Sequence, residues 1–260
     1  MARRYFIKVS FDGTRYSGWQ VQENASNTVQ QKINEGLSKL LNEKIEVYGC
    51  CRTDAGVHAK QLYAHFDSEK NLIQAGAVKP VASADWLHKL NSVLPVDISI
   101  DGIYAADKEA NARYDASART YQYFIHNKRN PFLENRSYYY YSDLDFALMN
   151  KASGILKRNR DFSAFSKVNT QVKTNICKIS KAAWKKTPDG AEFEIRADRF
   201  LRGMVRMIVG TMIQIGKHKI TLQDLQKIID SKDCRNAGVS VPACGLYLSK
   251  VEYPKRIFEK

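Results

Sequence analysis

The sequence lacks the features of a disulfide-rich or membrane-spanning protein. Only five of its 260 residues are cysteine, and two of these, Cys50 and Cys51, are adjacent. No Cys-x-x-Cys pair occurs, so neither a disulfide framework nor a zinc site is implied, and we expect reduced thiols. The longest apolar run, Met204 to Ile213, is interrupted by Arg206 and is far shorter than the ~20 residues of a membrane span. The residues after Met1 show no signal-peptide pattern, so we expect a cytoplasmic protein without a membrane partner.

Sequence signatures of bound cofactors are also missing. The five histidines show no H-E-x-x-H spacing, and neither a phosphate-binding P-loop nor a G-x-G-x-x-G motif is present. We therefore expect no cofactor: the protein should act without metal, nucleotide or flavin.

Acidic residues are few compared with basic ones. The chain has 41 Lys and Arg against 27 Asp and Glu, a formal net charge of +14. A surplus of this size favours a polyanionic partner such as nucleic acid, because each cation that meets a phosphate releases condensed counterions. A solvated lysine-rich surface without such a partner is the alternative.

The hydrophobic pattern predicts an α+β fold with antiparallel sheets. Strands are predicted at 4–10, 45–50, 61–66, 98–105, 119–126, 176–184, 191–197 and 246–251, and helices after Thr28, after Ser83, and at 143–157, 200–215 and 222–230. The order β-α-β-β-α-β appears roughly twice, which indicates two ferredoxin-like halves. The polar segment 107–118 is the predicted boundary, giving halves at 1–107 and 108–260.

The first candidate for chemistry is the loop Arg52–Ala59, between two predicted strands. A loop aspartate such as Asp54 is ordinarily a turn residue that binds its own backbone. Here, however, Arg52 precedes it by two positions, and Gly56 and His58 follow. A neighbouring guanidinium keeps a carboxylate ionised, which suits a nucleophile or a base.

Two further segments combine cationic and aromatic or apolar residues. Arg119, Tyr121 and Tyr123 alternate along a strand and share a face, where they could stack on unpaired bases and hold phosphates. A half-buried strand is the alternative. Arg206 lies close to the apolar stripe of its predicted helix, either as a side chain at the solvent margin or as a partly buried cation that needs a carboxylate partner such as Asp54.

Several motifs together resemble the TruA-type tRNA pseudouridine synthases. They occur in that family's order across nearly the whole chain: Phe11–Thr14, Gly18–Gln20, Arg52–His58, Ala118–Tyr123, Phe200–Arg206 and Gly245–Leu248. One position departs from the pattern, since Cys51 stands where the family commonly has glycine before the arginine.

The resemblance implies a pseudouridine synthase fold of two α+β halves with a basic cleft, acting as a homodimer on uridines 38–40 of the tRNA anticodon arm. It implies that Asp54 is the catalytic aspartate and that Arg206 is its ion-pair partner. Tyr121 would stack on the target base, Arg52 would position the RNA, and Leu246 would line the substrate site.

The chemistry implied is an isomerisation in which the glycosidic N–C bond breaks and a C–C bond forms. The uridine must first leave its stack. Asp54 could attack the ribose, attack the base or remove a sugar proton, and the sequence does not choose among these routes. Three rival functions remain: a non-catalytic RNA-binding module, a synthase acting on ribosomal or other RNA, and a carboxylate-dependent enzyme for small molecules.

Overall fold

The computed structural model describes residues 2–23, 26–72, 82–167 and 174–258. The chain forms two compact units: unit 1 comprises Met1–Ser117 and Leu248–Lys260, and unit 2 comprises Ala118–Tyr247. The sequence places the boundary between residues 107 and 108, ten residues before this division, and assigns the whole remainder to the second half. The division differs because the segment after residue 107 bonds into unit 1. Ala110 O accepts a hydrogen bond from Arg4 Nη1 at 2.9 Å, and Ala112 N donates to His65 Nδ1 at 3.2 Å.

Unit 1 has the predicted β-α-β-β-α-β order. Its elements are β1 (Arg3–Phe11), α1 (Val29–Leu41), β2 (Tyr48–Gly49), β3 (His58–Ser68), α2 (Ala84–Val93) and β4 (Ile98–Ala105). In the sheet, β1 lies between β4 and β3, and β2 pairs with the other edge of β3, all antiparallel. The order 4-1-3-2 is that of a ferredoxin-like sheet.

Both helices of unit 1 begin at the caps that the sequence predicts. The Thr28 side chain accepts a hydrogen bond from Gln31 N, and the Ser83 side chain accepts one from Trp86 N. Each bond satisfies a backbone donor that the first turn of a helix leaves unpaired. Helix α1 ends at Asn42, which has the left-handed conformation (φ 54°) that commonly closes a helix.

The sheet of unit 1 is covered on both faces. Tyr5, Ile7 and Val9 are buried, and their alternation predicts this. Phe6 points to the other face and is buried as well, because the rings of Tyr253 and Phe258 meet its ring edge-on at 5.6 and 5.5 Å. A distant segment of the chain therefore completes this core.

Unit 2 repeats a similar order with two additional elements. It contains β5 (Ala118–His126), β6 (Tyr138–Tyr139), α3 (Phe146–Arg158), β7 (Ile179–Thr187), β8 (Gly190–Ala197), α4 (Met204–Gly216) and α5 (Leu222–Ser231), and the last strand, β9 (Leu246–Glu252), begins here. Strand β8 pairs antiparallel with both β5 and β7, whereas β6 runs parallel to β5. The mixed α+β fold predicted from the sequence is confirmed.

Helix α4 begins four residues later than predicted. Its cap is Gly203, which has φ 74°, a left-handed conformation that glycine adopts readily. Arg202, which falls within the predicted helix, therefore precedes the observed one. The apolar stripe is confirmed and is wider than expected, since Met207 and Ile215 are buried along with the predicted residues.

Helix α3 starts at Phe146, and the Asp145 side chain accepts a hydrogen bond from Leu148 N at 2.8 Å. The predicted inward residues Ala152 and Ile155 are buried. Leu144 and Leu148 are only half-buried, and Met149 takes the core position instead. Leu144 lies before the first residue of the helix, so the helical periodicity does not apply to it.

None of the helices formed by the described residues combines the length and the apolar character needed to cross a membrane. Within the same ranges, no group of three His, Cys, Asp or Glu side chains lies close enough to hold a metal ion.

Candidate active site

Asp54 lies in a short connection of unit 1 between β2 and β3, residues 51–57, which we call the Asp54 loop. Its side chain is half-buried and that of Arg52 is exposed. The loop closes through a turn in which Val57 N donates to Asp54 O at 3.2 Å, with Gly56 at φ 75°. The turn is closed by the backbone of Asp54, and the side chain is partly accessible to solvent.

A second stretch, residues 12–20, binds the backbone of the Asp54 loop, and we call it the Asp12 segment. Trp19 N donates a hydrogen bond to Thr53 O at 3.1 Å. Gly13 N donates to His58 Nδ1 at 3.1 Å, and Gly56 N donates to Tyr16 O at 3.4 Å. Two motifs that lie far apart in the sequence therefore form one structure, in which the first holds the backbone of the second.

The Asp12 segment is itself fixed to unit 1. The Tyr16 hydroxyl donates to Asp97 Oδ1 at 2.5 Å, and Arg15 lies 2.7 Å from the same carboxylate. Burial, followed by this hydrogen bond, raises the pKa of Tyr16 far above its usual range. The phenol therefore stays protonated and keeps its bond at every pH at which the protein would function.

The contact between the two stretches is close at Gly18. This residue has φ 100°, and a Cβ atom built there would lie 2.6 Å from Thr53 O. Such a separation is too short for any real side chain, so the two backbones can touch only where one residue lacks Cβ. The position of the Asp54 loop depends on that glycine.

His58, the last residue of the motif, has a supporting position. It is 2% exposed, and its Nδ1 accepts the hydrogen bond from Gly13 N. The same nitrogen lies 3.2 Å from Asp12 Oδ1, so the ring has two contacts with the Asp12 segment. His58 therefore holds the Asp12 segment against β3.

Tyr121 lies on β5 in unit 2 and is 9% exposed. The Phe200 ring meets its ring edge-on at 5.1 Å, which fixes the orientation of the aromatic plane. Tyr123, which shares its face, is fully buried, and its hydroxyl donates to Pro242 O at 2.8 Å. The interpretation of both tyrosines as a base-stacking surface is wrong for Tyr123, which belongs to the core.

Arg119 is also more buried than a phosphate-binding residue would be. Only 9% of it is exposed, and its Nη1 donates to Asp198 O at 2.9 Å. Strand β5 is covered on both faces, since Thr120 is buried between these residues. Tyr121 is buried to the same extent as Arg119, and its role in stacking on a base stays a prediction.

Arg206 is half-buried in the first turn of α4. Its Nε donates to Val241 O at 2.7 Å, and Val241 N donates to Arg206 O at 3.3 Å. This reciprocal pair holds the guanidinium in one orientation. The hydrogen bond between Arg206 and Val241 could not be predicted from the sequence. The partners are 35 residues apart, and a backbone carbonyl is present in every type of residue.

Leu246, the first residue of β9, is 6% exposed. Its neighbour Tyr247 packs its ring edge-on against Phe124 at 5.3 Å and donates its hydroxyl to Arg136 O at 2.7 Å. These contacts place Leu246 beside β5, the strand of Tyr121.

The predicted site residues are therefore divided between the units. Unit 1 brings Asp54 and Arg52 together on one loop, and unit 2 contains Tyr121, Arg206 and Leu246. The ion pair between Asp54 and Arg206 would join residues of different units and stays a prediction.

Comparisons with known proteins show the family to which the chain belongs. A family model described as tRNA pseudouridine synthase matches residues 159–254. A tRNA pseudouridine synthase A from Bacteroides thetaiotaomicron is 45% identical over an alignment 262 residues long, which covers 99% of this chain and 93% of that protein. The chain belongs to the tRNA pseudouridine synthase A family. Other members include that of Porphyromonas gingivalis, 43% identical over 98% of this chain and 99% of that protein.

More distant members of the tRNA pseudouridine synthase A family match over the same length. That of Acetivibrio thermocellus is 36% identical over 96% of this chain and 100% of its own. A solved structure of an unknown protein from Galdieria sulphuraria covers 84% of this chain and 94% of its own at 12% identity, with a TM-score of 0.21, which is too low to support any inference. The resemblance predicted from the motifs is confirmed.

Proposed function

We propose that this protein isomerises uridine to pseudouridine in tRNA, with Asp54 as its catalytic carboxylate. The observation that supports Asp54 most directly is the construction of its loop, whose backbone is held by hydrogen bonds from Trp19 and to Tyr16. A reacting group must be held in place so that it meets the substrate in a productive geometry. Family membership supplies the reaction type.

The reaction breaks the bond between N1 of uracil and C1′ of ribose, turns the base, and joins C5 to C1′. C5 loses a proton and the freed N1 gains one, so the product is an isomer of the substrate and neither water nor an oxidant is consumed. An ionised Asp54 can attack C1′, attack the base or remove a proton from the sugar. In each route the carboxylate faces a uridine that has left its stack.

The other site residues complete the proposal. Tyr121, held by Phe200, would stack on the displaced uracil, and Leu246 would form an apolar wall. The exposed Arg52 would contact the RNA backbone, as Arg commonly does. Arg206, oriented by Val241, would pair with the Asp54 carboxylate.

Replacing Asp54 by Asn or Ala tests the catalytic role. We expect the release of tritium from tRNA labelled at C5 of uridine to fall by at least about 10² to 10⁴-fold, with tRNA binding kept. Asp85→Asn is the matched control, since that carboxylate is exposed and, among the described residues, pairs with Lys89. Normal turnover in Asp54→Asn would remove Asp54 from the mechanism. Binding without any turnover in the unmodified protein would instead favour the RNA-binding module.

Replacing Arg206 tests the ion pair. We expect Arg206→Ala to lower turnover strongly, because it leaves the carboxylate without its cation. Arg206→Lys keeps the charge and loses the Nε contact with Val241. Its turnover should therefore lie between that of the unmodified protein and that of Arg206→Ala. In a double-mutant cycle with Asp54→Asn, the two losses should not add. Additive losses would mean that the residues act separately.

We further propose that the substrates are uridines 38–40 of the anticodon arm, that the enzyme is a cytoplasmic homodimer, and that it acts on tRNA in preference to ribosomal RNA. The surplus of positive charge suits an RNA substrate. Mapping pseudouridines in unmodified tRNA and in ribosomal RNA after incubation with the purified protein tests the position and the RNA class. Sedimentation equilibrium, with and without tRNA, tests the dimer.

A further inference from the structure

Thr53, the residue before Asp54, has a buried hydroxyl with an unusual environment. The residue is 7% exposed, and Oγ1 has no hydrogen-bond partner among the described residues. Three other side-chain atoms share this property, and all three lie in unit 2. Within the described part of unit 1, the unpaired hydroxyl is therefore found beside the proposed catalytic residue.

The surroundings of Thr53 do not allow the hydroxyl to find a partner by a small shift. Its own carbonyl is bound by Trp19 N, and the backbone of Gly18 packs directly against it. Asp54 O is engaged by Val57 N in the turn that follows. The backbone on both sides of the threonine is fixed, so the hydroxyl can change its position only by rotation of the side chain about Cα–Cβ.

An unpaired buried hydroxyl lowers the stability of the folded protein, whereas valine has the same shape without that cost. A threonine at such a position is therefore informative, because buried unsatisfied groups are rare and concentrate at functional sites. The hydroxyl is expected to serve in a state other than the RNA-free one.

We infer that Thr53 is a positioning residue whose hydroxyl gains its hydrogen-bond partner when RNA binds, and so fixes the Asp54 loop in its RNA-bound conformation. The inference rests on the proposed function, since it assumes that Asp54 acts on RNA. Thr53 acts through the loop, because Oγ1 is buried beneath it. Turning the side chain about Cα–Cβ exchanges the hydroxyl and the methyl group between staggered positions.

The inference predicts opposite effects of one substitution on stability and on turnover. Thr53→Val should raise the melting temperature of the RNA-free protein by about 2 to 4 °C, because it removes an unpaired polar group. The same variant should lose about tenfold in kcat, the equivalent of one hydrogen bond in the bound state. The rise in melting temperature that tRNA produces should also be smaller than in the unmodified protein.

Thr28→Val is the matched control for the sign of the stability change. Thr28 is fully buried in the same unit, but its hydroxyl accepts the capping bond from Gln31 N. Its replacement should lower the melting temperature and leave kcat unchanged. The melting temperature should therefore rise when the threonine without a partner is replaced by valine, and fall when the threonine with a partner is replaced.

Thr53→Ser and Thr53→Ala keep the test decisive if the valine variant does not fold. The serine variant retains the hydroxyl and should keep kcat within about threefold, whereas alanine should lose as much as valine. Equal kcat in serine and alanine variants, a valine variant with normal turnover, or a valine variant of lower stability would each overturn the inference. Failure of the proposed function is seen separately, as an unmodified protein that releases no tritium from labelled tRNA.

Discussion

His65 illustrates how the environment of a single side chain controls stability in unit 1. It is 5% exposed, its Nδ1 accepts a hydrogen bond from Ala112 N, and the rings of Phe6 and Tyr48 stack against it at 5.8 and 5.4 Å. Burial, with a smaller contribution from the charge of Arg4, lowers the pKa of His65 from 6.5 to about 4. The ring is therefore neutral at pH 7.

This lowered pKa predicts a loss of stability in weak acid. Between pH 6.5 and 4 the unfolded chain binds a proton at His65 and the folded protein does not, so stability falls as pH falls. We expect the free energy of unfolding, measured with urea, to drop by about 2 kcal/mol from pH 7 to pH 5 through this residue. His65→Gln should remove most of the slope, and the exposed His88→Gln should leave it intact. An unchanged slope in His65→Gln would assign it to other groups.

Gly18 connects stability to turnover. Gly18→Ala places a Cβ atom against Thr53 O at φ 100°, so we expect a loss of about 1 to 3 kcal/mol and a displaced Asp54 loop. Tritium release should fall more than the unfolded fraction explains. Gly154→Ala is the control, because the nearest atom to its Cβ is 3.8 Å away on helix α3. It should gain about 0.5 to 1 kcal/mol with normal turnover.

At the scale of elements, the segment Tyr253–Phe258 functions as part of the core of unit 1. The Phe258 ring lies 5.5 to 5.9 Å from those of its aromatic neighbours, which are Phe6, Tyr63, Tyr104 and Tyr253. The cluster covers the face of β1 opposite Tyr5, and its burial raises the pKa of Tyr63 to about 12.

Truncating the ring of Phe258 should therefore destabilise the unit. We expect Phe258→Ala to lower the free energy of unfolding by about 3 kcal/mol, because a large side chain is lost from among aromatic neighbours. Phe132→Ala, at a position that is 86% exposed, should change it by less than about 0.5 kcal/mol. Equal effects in urea titrations of the two variants would contradict the role of the segment.

The sequence predicts features of the fold that depend on neighbouring residues and misses those that depend on distant ones. Helices α1 and α2 begin where predicted, because their caps, Thr28 and Ser83, act on residues three positions away. The full burial of Phe6 could not be foreseen, since the rings that cover it lie about 250 residues along the chain. The start of α4 was misplaced because the left-handed conformation of Gly203 outweighs the apolar periodicity before it.

The candidate site also has features that the sequence predicts and features that it does not. Motif order predicts the roles of Asp54 and Tyr121, because residue type carries the chemistry proposed for them. The contribution of Val241 to Arg206 comes from a backbone carbonyl and leaves no trace in composition. Tyr123 has the same residue type and strand face as Tyr121, and only packing distinguishes the core residue from the predicted stacking residue.

At the scale of the whole molecule, the net charge of +14 predicts binding of tRNA that depends strongly on salt. Raising KCl from 50 to 200 mM should weaken binding by at least about tenfold, because counterions return to the released phosphates. Arg52→Ala should reduce the slope of log K against log salt by about 1 if Arg52 meets a phosphate. Asp54→Asn should leave the slope unchanged. Affinity independent of salt would instead favour a small-molecule substrate.

The composition of unit 1 from two separate stretches, Met1–Ser117 and Leu248–Lys260, has a consequence for biosynthesis. On the ribosome, the first stretch emerges early, yet the aromatic residues that seal its sheet are translated only after all of unit 2. Unit 2 is continuous and can complete itself as soon as it has left the exit tunnel, whereas the nascent unit 1 waits with Phe6, Tyr63 and Tyr104 uncovered. Unit 1, whose first stretch is translated first, is therefore the last to complete its fold. Until its C-terminal stretch is translated, its uncovered aromatic residues make it the part of the nascent chain that most requires a chaperone.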